Sequence, residues 1–407
     1  MKKTDGLLLE KLKSIPYQKL ESIMFYTLIF WCLSPLAFSM LGYFGVETYT
    51  YHGIAVMIMY FVGCIGLIFG GIYLYKTIAN DGKTWDKRLN SYKPLLAGLL
   101  LEVWCVFCVL FANEKRLAIY GYESMRDCLF TFIFFGGFFL LGFVLKNKHY
   151  IEILIKVFLT VAAAMVILIC FSDNFILFGN LSSLSTLQEK EFTLYGELAL
   201  LAFMVSTSNF YETSRTKSFL FAFLSLLLGF SIAMIEEPIL VMILLLYLLA
   251  LLIKSFISKK ETIKMLALVG LVVLELFLII SNVSSFVDFK NQLSKTILEN
   301  VSAWNDAIDY IESASVVGYG PQNSLVDAKN FILQIGVYLG TPGILLFIFL
   351  VFAILKQIDV KSVWVISTSF LLVAMFICGS RYYLIAYFFL ALGFLFSTKY
   401  SENRVIE

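Results

Sequence analysis

The sequence predicts an all-α protein, a polytopic helical membrane bundle of about twelve transmembrane helices. One large external loop containing short helices is expected late in the chain. Three observations lead there. Of 407 residues, 60% are hydrophobic and 15% charged, more apolar surface than a soluble chain of this size can bury but suited to a bundle whose outer face meets lipid. The apolar residues gather into stretches of about 18–25 residues, enough to cross about 30 Å of hydrocarbon at about 1.5 Å per residue. The basic residues fall almost entirely in alternate connectors.

Taken in order, the apolar stretches lie near 22–41, 54–75, 94–112, 126–145, 151–172, 192–210, 216–234, 238–258, 263–281, 331–355, 361–378 and 381–397. Ahead of the first, Leu7, Leu8, Leu9, Leu12 and Ile15 alternate with Lys11, Lys13 and Lys19. That pattern suits an interfacial segment over residues 1–21 on the cytoplasmic surface of the bilayer. No A-x-A cleavage site follows the first stretch, so no cleaved leader is expected. The seventh and eighth stretches are parted only by Ile235, Glu236 and Glu237.

Basic residues assign the sides. Lys76, Lys83, Lys87, Arg88 and Lys93 lie in one connector; Lys146 with Lys148, Arg215 with Lys217, Lys254 with Lys259, Lys260 and Lys264, and Lys356 with Lys361 lie in later alternate ones. On the opposite side there are only Lys115, Arg116, Arg126, Lys190, Lys290, Lys295, Lys329 and Arg381. The positive-inside rule makes the richer side cytoplasmic, which places both termini inside and requires an even number of spans. The loop at 282–329, between the ninth and tenth stretches, is then external. In it Trp304, Ile308 and Ile311 recur at helical spacing among Asp306, Asp309 and Glu312, the pattern of an amphipathic helix on the bundle or membrane surface. Gly318-Tyr319-Gly320-Pro321 reads as a turn.

Composition excludes several classes. A net charge of +2 gives no electrostatic footprint for nucleic acid. Two distant histidines, His52 and His149, do not make a histidine-ligated metal centre. Cys105 and Cys108 form a C-x-x-C inside an apolar stretch, read as two small buried residues on one helix face. No metal and no cofactor is expected.

The run Trp304, Ala307, Ile308, then Gly318-Tyr319-Gly320-Pro321, Lys329-Asn330-Phe331 and Gly340-Thr341-Pro342-Gly343 resembles the O-antigen polymerase and O-antigen ligase superfamily. Members show a Trp-bearing helix, a Gly-x-Gly turn, a His-Asn pair and a G-x-x-G run opening an apolar span. They also share the layout of ten to fourteen spans with the largest external loop near the C-terminal end. Residue-level similarity covers about 300–350. Lys329 stands where members carry His, while Asn330 is kept, which turns the reading from the ligase to the polymerase branch. The resemblance implies a metal-independent glycosyltransferase of the bacterial cytoplasmic (inner) membrane that joins undecaprenyl-diphosphate-linked repeat units of a surface polysaccharide. Its implied partners are the lipid-linked glycan, membrane lipid, and a chain-length regulator and flippase of the same pathway.

That chemistry needs a grip on the departing diphosphate and a base for the attacking hydroxyl. Even-numbered spans begin at the outer face, where their N-termini favour anions. Arg126, Arg381, Lys190 and Asn330 stand at such starts as diphosphate ligands, and long basic side chains there equally suit interfacial anchoring. Lys329 joins them as a catalytic candidate in the position of the family histidine. Glu236 and Glu237, before Pro238, are the base candidates; acids also favour helix N-termini without any catalytic role. Trp304, Gly318, Tyr319 and Gly320 are expected to shape the loop. Glu102 and Glu275 lie mid-span and should face the bundle interior or a watery cavity. A G-x-x-x-G spacing at Gly336 and Gly340, next to Pro342, permits close helix contact or a kink. The competing readings are an O-antigen ligase-like transferase, a lipid-linked oligosaccharide flippase or transporter, and a non-catalytic membrane scaffold.

Overall fold

A computed structural model describes residues 14–43, 48–80, 92–121, 128–172, 188–212, 215–234, 238–257, 262–282, 286–314, 316–321, 326–356, 362–378 and 382–405. Among them there is no β-strand, and the helices are α1 (Tyr17–Tyr43), α2 (Thr48–Asn80), α3 (Lys93–Phe111), α4 (Lys115–Tyr120), α5 (Leu129–Val144), α6 (Lys148–Ser172), α7 (Gln188–Glu212), α8 (Arg215–Met234), α9 (Pro238–Ile257), α10 (Thr262–Asn282), α11 (Phe286–Ser313), α12 (Phe331–Leu355), α13 (Val363–Cys378) and α14 (Tyr382–Val405). A helix stands at each of the twelve apolar stretches. Six of them, α1, α2, α3, α6, α9 and α12, are long and apolar enough to cross a membrane; α5 and parts of α8, α10, α13 and α14 are shorter apolar helices.

Three differences from the sequence reading have physical causes. Helix α1 begins at Tyr17, and Leu20 is fully buried, so the end of the expected interfacial segment is the first turn of α1 itself; residues 1–13 lie outside the described set. The short helix α4 sits in the connector between the third and fourth apolar stretches. The loop holds one 28-residue helix, α11, about 42 Å long, instead of short helices. Of the expected stripe, Trp304 and Ile311 face inward and Ile308 does not. Asn300, Trp304, Ala307 and Ile311 turn inward, Asn300 and Ala307 being almost wholly buried, whereas Ile308 is 42% exposed. A spacing of 304, 308 and 311 straddles the true stripe by about one residue.

Helix α5 runs through the interior of the bundle. Ten of its sixteen residues are buried, and it lies between α2 and α14 at backbone contact. A Cβ on Gly137 would lie 2.1 Å from the carbonyl oxygen of Gly63, and one on Gly393 would lie 2.1 Å from that of Phe139. Only glycine allows these approaches, which gain dispersion along whole helix faces where lipid offers no hydrophobic drive between helices. Aromatic pairs fill the flanks: Trp31 meets Phe138 edge-on at 5.0 Å, and Phe135 stacks on Phe389 at 5.6 Å.

A second cluster joins α7, α9 and α13 by hydroxyls. The fully buried Tyr247 Oη lies 3.0 Å from Thr207 Oγ1, 3.0 Å from Ser367 Oγ and 3.2 Å from the Met204 carbonyl. Ser208 Oγ and Ser367 Oγ are 2.7 Å apart. Thr207, Ser208 and Ser367 also reach carbonyls of their own helices, so every hydroxyl of the cluster is satisfied.

One end of the bundle is stapled by the basic side of the chain. Glu21 Oε1 accepts from the backbone N–H of Lys146 at 2.7 Å and of Asn147 at 2.5 Å. The nearly buried Lys76 donates to the Ile15 carbonyl and stands over the Tyr17 ring at 4.4 Å. The mid-helix acids face inward as expected: Glu275 is fully buried against Gly229 of α8, and Glu102 lines a cavity between helices. Cys105 and Cys108 are buried free thiols.

Candidate functional site

The opposite end gathers the motif residues around the first half of α12. Asn330 is its N-cap: Oδ1 accepts from the N–H of Ile332 at 3.0 Å and of Leu333 at 3.2 Å, two of the donors a helix start leaves without partners. The residue is fully buried, and its Nδ2 has no hydrogen-bond partner. Gln334, one turn on, reaches back. Its Oε1 accepts from Ala328 N at 2.8 Å and its Nε2 donates to the Val326 carbonyl at 3.2 Å, so the segment entering the helix is tied to the helix.

Two turns further, α12 kinks. Gly340 has φ of 69° and ψ of −176°, and Pro342 has no N–H to offer the carbonyl four residues back. The carbonyls released at the bend are taken by donors from elsewhere. Val337 O accepts from Tyr319 N at 3.0 Å, Tyr338 O from Gly320 N at 2.9 Å, and Leu339 O from Trp104 Nε1 of α3 at 2.8 Å. The Gly-Tyr-Gly turn is therefore the cap of the kink. A Cβ on Gly340 would lie 2.1 Å from the Val316 carbonyl oxygen, and one on Gly318 2.5 Å from Gly340 N, so the two strands of chain meet with no room for a side chain. Both residues also hold a positive φ, which glycine adopts without strain.

Helix α11 closes the junction. Ile311 packs on Gly336, Asn300 Nδ2 donates to the Ile377 carbonyl at 3.1 Å, and Trp304 meets Phe376 edge-on at 5.4 Å. Tyr319 is held by Tyr310, ring to ring at 5.4 Å, and lies 3.2 Å through its hydroxyl from Ser313 Oγ. At the rim, Lys329 has φ of 45°; its N–H donates to Asp327 Oδ1 at 3.1 Å, and its Nζ lies 3.8 Å from Glu299 Oε2. Both side chains are nearly half exposed, so this pair is open to anything that approaches α12.

The structure thus brings together Trp304, Gly318, Tyr319, Gly320, Lys329 and Asn330. Arg126, Glu236, Glu237 and Arg381 lie outside the described residues. Lys190 falls in α7, and its side chain is outside the described set. Three residues of the junction escaped the sequence reading: Glu299, Asn300 and Trp104. Asn300 and Glu299 sit four and five residues before Trp304, so extending the helix one turn toward its start would have found them. Nothing in sequence ties Trp104 to a segment 235 residues away.

The rim offers an ammonium, a carboxylate and the N-terminal end of α12 at one place. A cation and a helix N-terminus favour an anionic ligand. Of Lys329 and Glu299, the carboxylate is the group able to take a proton from a hydroxyl, and the ammonium is the group able to hold negative charge. No family model, no curated protein and no solved structure matches the chain.

Proposed function

We propose that this chain polymerises a bacterial surface polysaccharide, joining undecaprenyl-diphosphate-linked repeat units at the outer face of the cytoplasmic membrane. On this reading it crosses the membrane twelve times with both termini inside, and α11 and the turn at 316–321 lie outside. The observation that carries the reading is the convergence of the residues that resemble the superfamily. Trp304, the Gly-Tyr-Gly turn, Lys329-Asn330 and the Gly340–Pro342 bend are spread over about forty residues, yet all lie on α11, on the first half of α12 or against them: the turn caps the bend, Trp304 packs on Phe376, and Lys329 pairs with Glu299 of α11 at the rim.

In the reaction, the bond from the anomeric carbon of the growing glycan to its diphosphate oxygen breaks. A bond from that carbon to the acceptor's hydroxyl oxygen forms, and the hydroxyl proton passes to a carboxylate. The lipid diphosphate leaves with the electron pair. Glu299 serves as proton acceptor in the junction, alongside Glu236 and Glu237. Lys329 takes the catalytic position of electrostatic support for the leaving diphosphate, with Arg126, Arg381, Lys190 and Asn330 as its further ligands.

The test is lengthening of lipid-linked repeat units by the purified protein in liposomes. Elongation is expected, and Glu299→Gln and Lys329→Ala should each slow it by about tenfold or more, as loss of an electrostatic contact in a transition state does. Absence of elongation by the unaltered protein overturns the proposal. Accumulation of single units on the inner leaflet in a mutant strain would instead identify a flippase.

A further inference from the structure

We infer that the cavity between α2, α3, α5, α12 and α14 binds a bilayer-soluble apolar alcohol or phenol whose hydroxyl is received by Glu102. The inference does not rest on the polymerase reading. The cavity measures about 630 Å³, within the size range of small-molecule sites. Its walls are apolar, with Leu67, Ile133, Phe135, Leu350 and Phe389 among them, and among the described residues Glu102 is the one carboxylate in them.

Three observations define the occupant. Leu96, Leu99 and Val103 line the cavity, lie on one stripe of α3, and are 42%, 59% and 57% exposed, so the mouth opens on the face that a spanning α3 turns to lipid. The ligand therefore enters from hydrocarbon. Glu102 is the tenth of the nineteen residues of α3, which sets it about 13 Å from either end of the helix. A phospholipid headgroup or a sugar diphosphate does not reach that depth, which leaves a molecule wholly immersed in the bilayer. Finally, Glu102 Oε2 is shielded from solvent and has no hydrogen-bond partner, a costly arrangement where no water can supply one. Rotation of the carboxyl about its terminal torsion brings this oxygen to the cavity wall, where an O–H from the ligand satisfies it. Gly136 faces the same carboxyl, with its built Cβ position 3.1 Å from Glu102 Oε1, so the wall opposite carries no side chain to block the approach.

The test uses the protein in liposomes with two photoactivatable probes, a diazirine-bearing hexadecanol and its methyl ether, mapped by peptide mass spectrometry. The alcohol is expected to label the α3 and α5 peptides about tenfold more than the ether, the fold-change of one good hydrogen bond. Glu102→Leu should bring the alcohol down to the ether. Gly98→Phe fills the cavity, since a Cβ there meets only Leu350 Cδ1 at 3.9 Å, and should remove labelling by both probes. Gly270→Phe, on α10 where an added Cβ meets nothing within 4 Å, should change nothing. Equal labelling by alcohol and ether in the unaltered protein, or alcohol labelling that survives Glu102→Leu, overturns the inference.

Discussion

The helices around α5 and those around Tyr247 are held by opposite means. At α5 the contact is backbone on backbone, made by leaving side chains out at Gly63, Gly137 and Gly393. At Tyr247 it is side chain on side chain, made by hydroxyls that find one another between α7, α9 and α13. The difference is one of tolerance. A glycine contact has no slack, because any added atom meets a carbonyl oxygen. A hydroxyl cluster has spare acceptors, because Thr207, Ser208 and Ser367 also reach backbone carbonyls of their own helices when a neighbour is lost. The junction at α12 uses both devices, with glycines for the approach and borrowed N–H groups for the bond.

Substitutions rank these regions. The largest effect is expected for Gly137→Leu, whose Cβ alone would strike the Gly63 carbonyl; about 3 kcal/mol or more of destabilisation should appear as loss of the monodisperse peak and a large fall in melting temperature in detergent. Gly340→Ala comes next, at about 2–3 kcal/mol, because it adds a left-handed non-glycine conformation to a clash with Val316. A change in Trp104 fluorescence should accompany it, since the carbonyl bound by that indole belongs to the same bend. Tyr247→Phe should cost only about 0.5–1.5 kcal/mol. A loss as large as that of Gly137→Leu would break the comparison. Smallest is Lys329→Ala, under about 0.5 kcal/mol by thermal unfolding, because its ion pair is half exposed. A strong effect on elongation with so small an effect on stability would separate a role in chemistry from a role in the fold.

Much of this was legible in the chain. Each of the twelve apolar stretches is a helix, because a run of Leu, Phe and Ile of that length has few other ways to satisfy its backbone in an apolar setting. The bend at Gly340 and Pro342 and the turn at Gly318 to Pro321 were likewise readable, since both rest on local backbone rules. The length of α11 was not, because Lys290, Gln292, Ser294 and Lys295 interrupt its apolar pattern while packing on α9 and α12 still holds it helical. Nor was the joining of the turn to the bend, or of Trp104 to the bend. These are contacts between distant segments, and periodicity carries no record of them. The pairing of Lys329 with Glu299 escaped for the same reason.

The handover of three carbonyls at the bend of α12 has a practical corollary for protein engineering. Because their donors come from two other stretches of chain, replacing residues 316–321 alone would strand acceptors in an oily interior. A chimera that exchanges this corner with another protein must transplant the turn, the bend and the indole of α3 as one cassette.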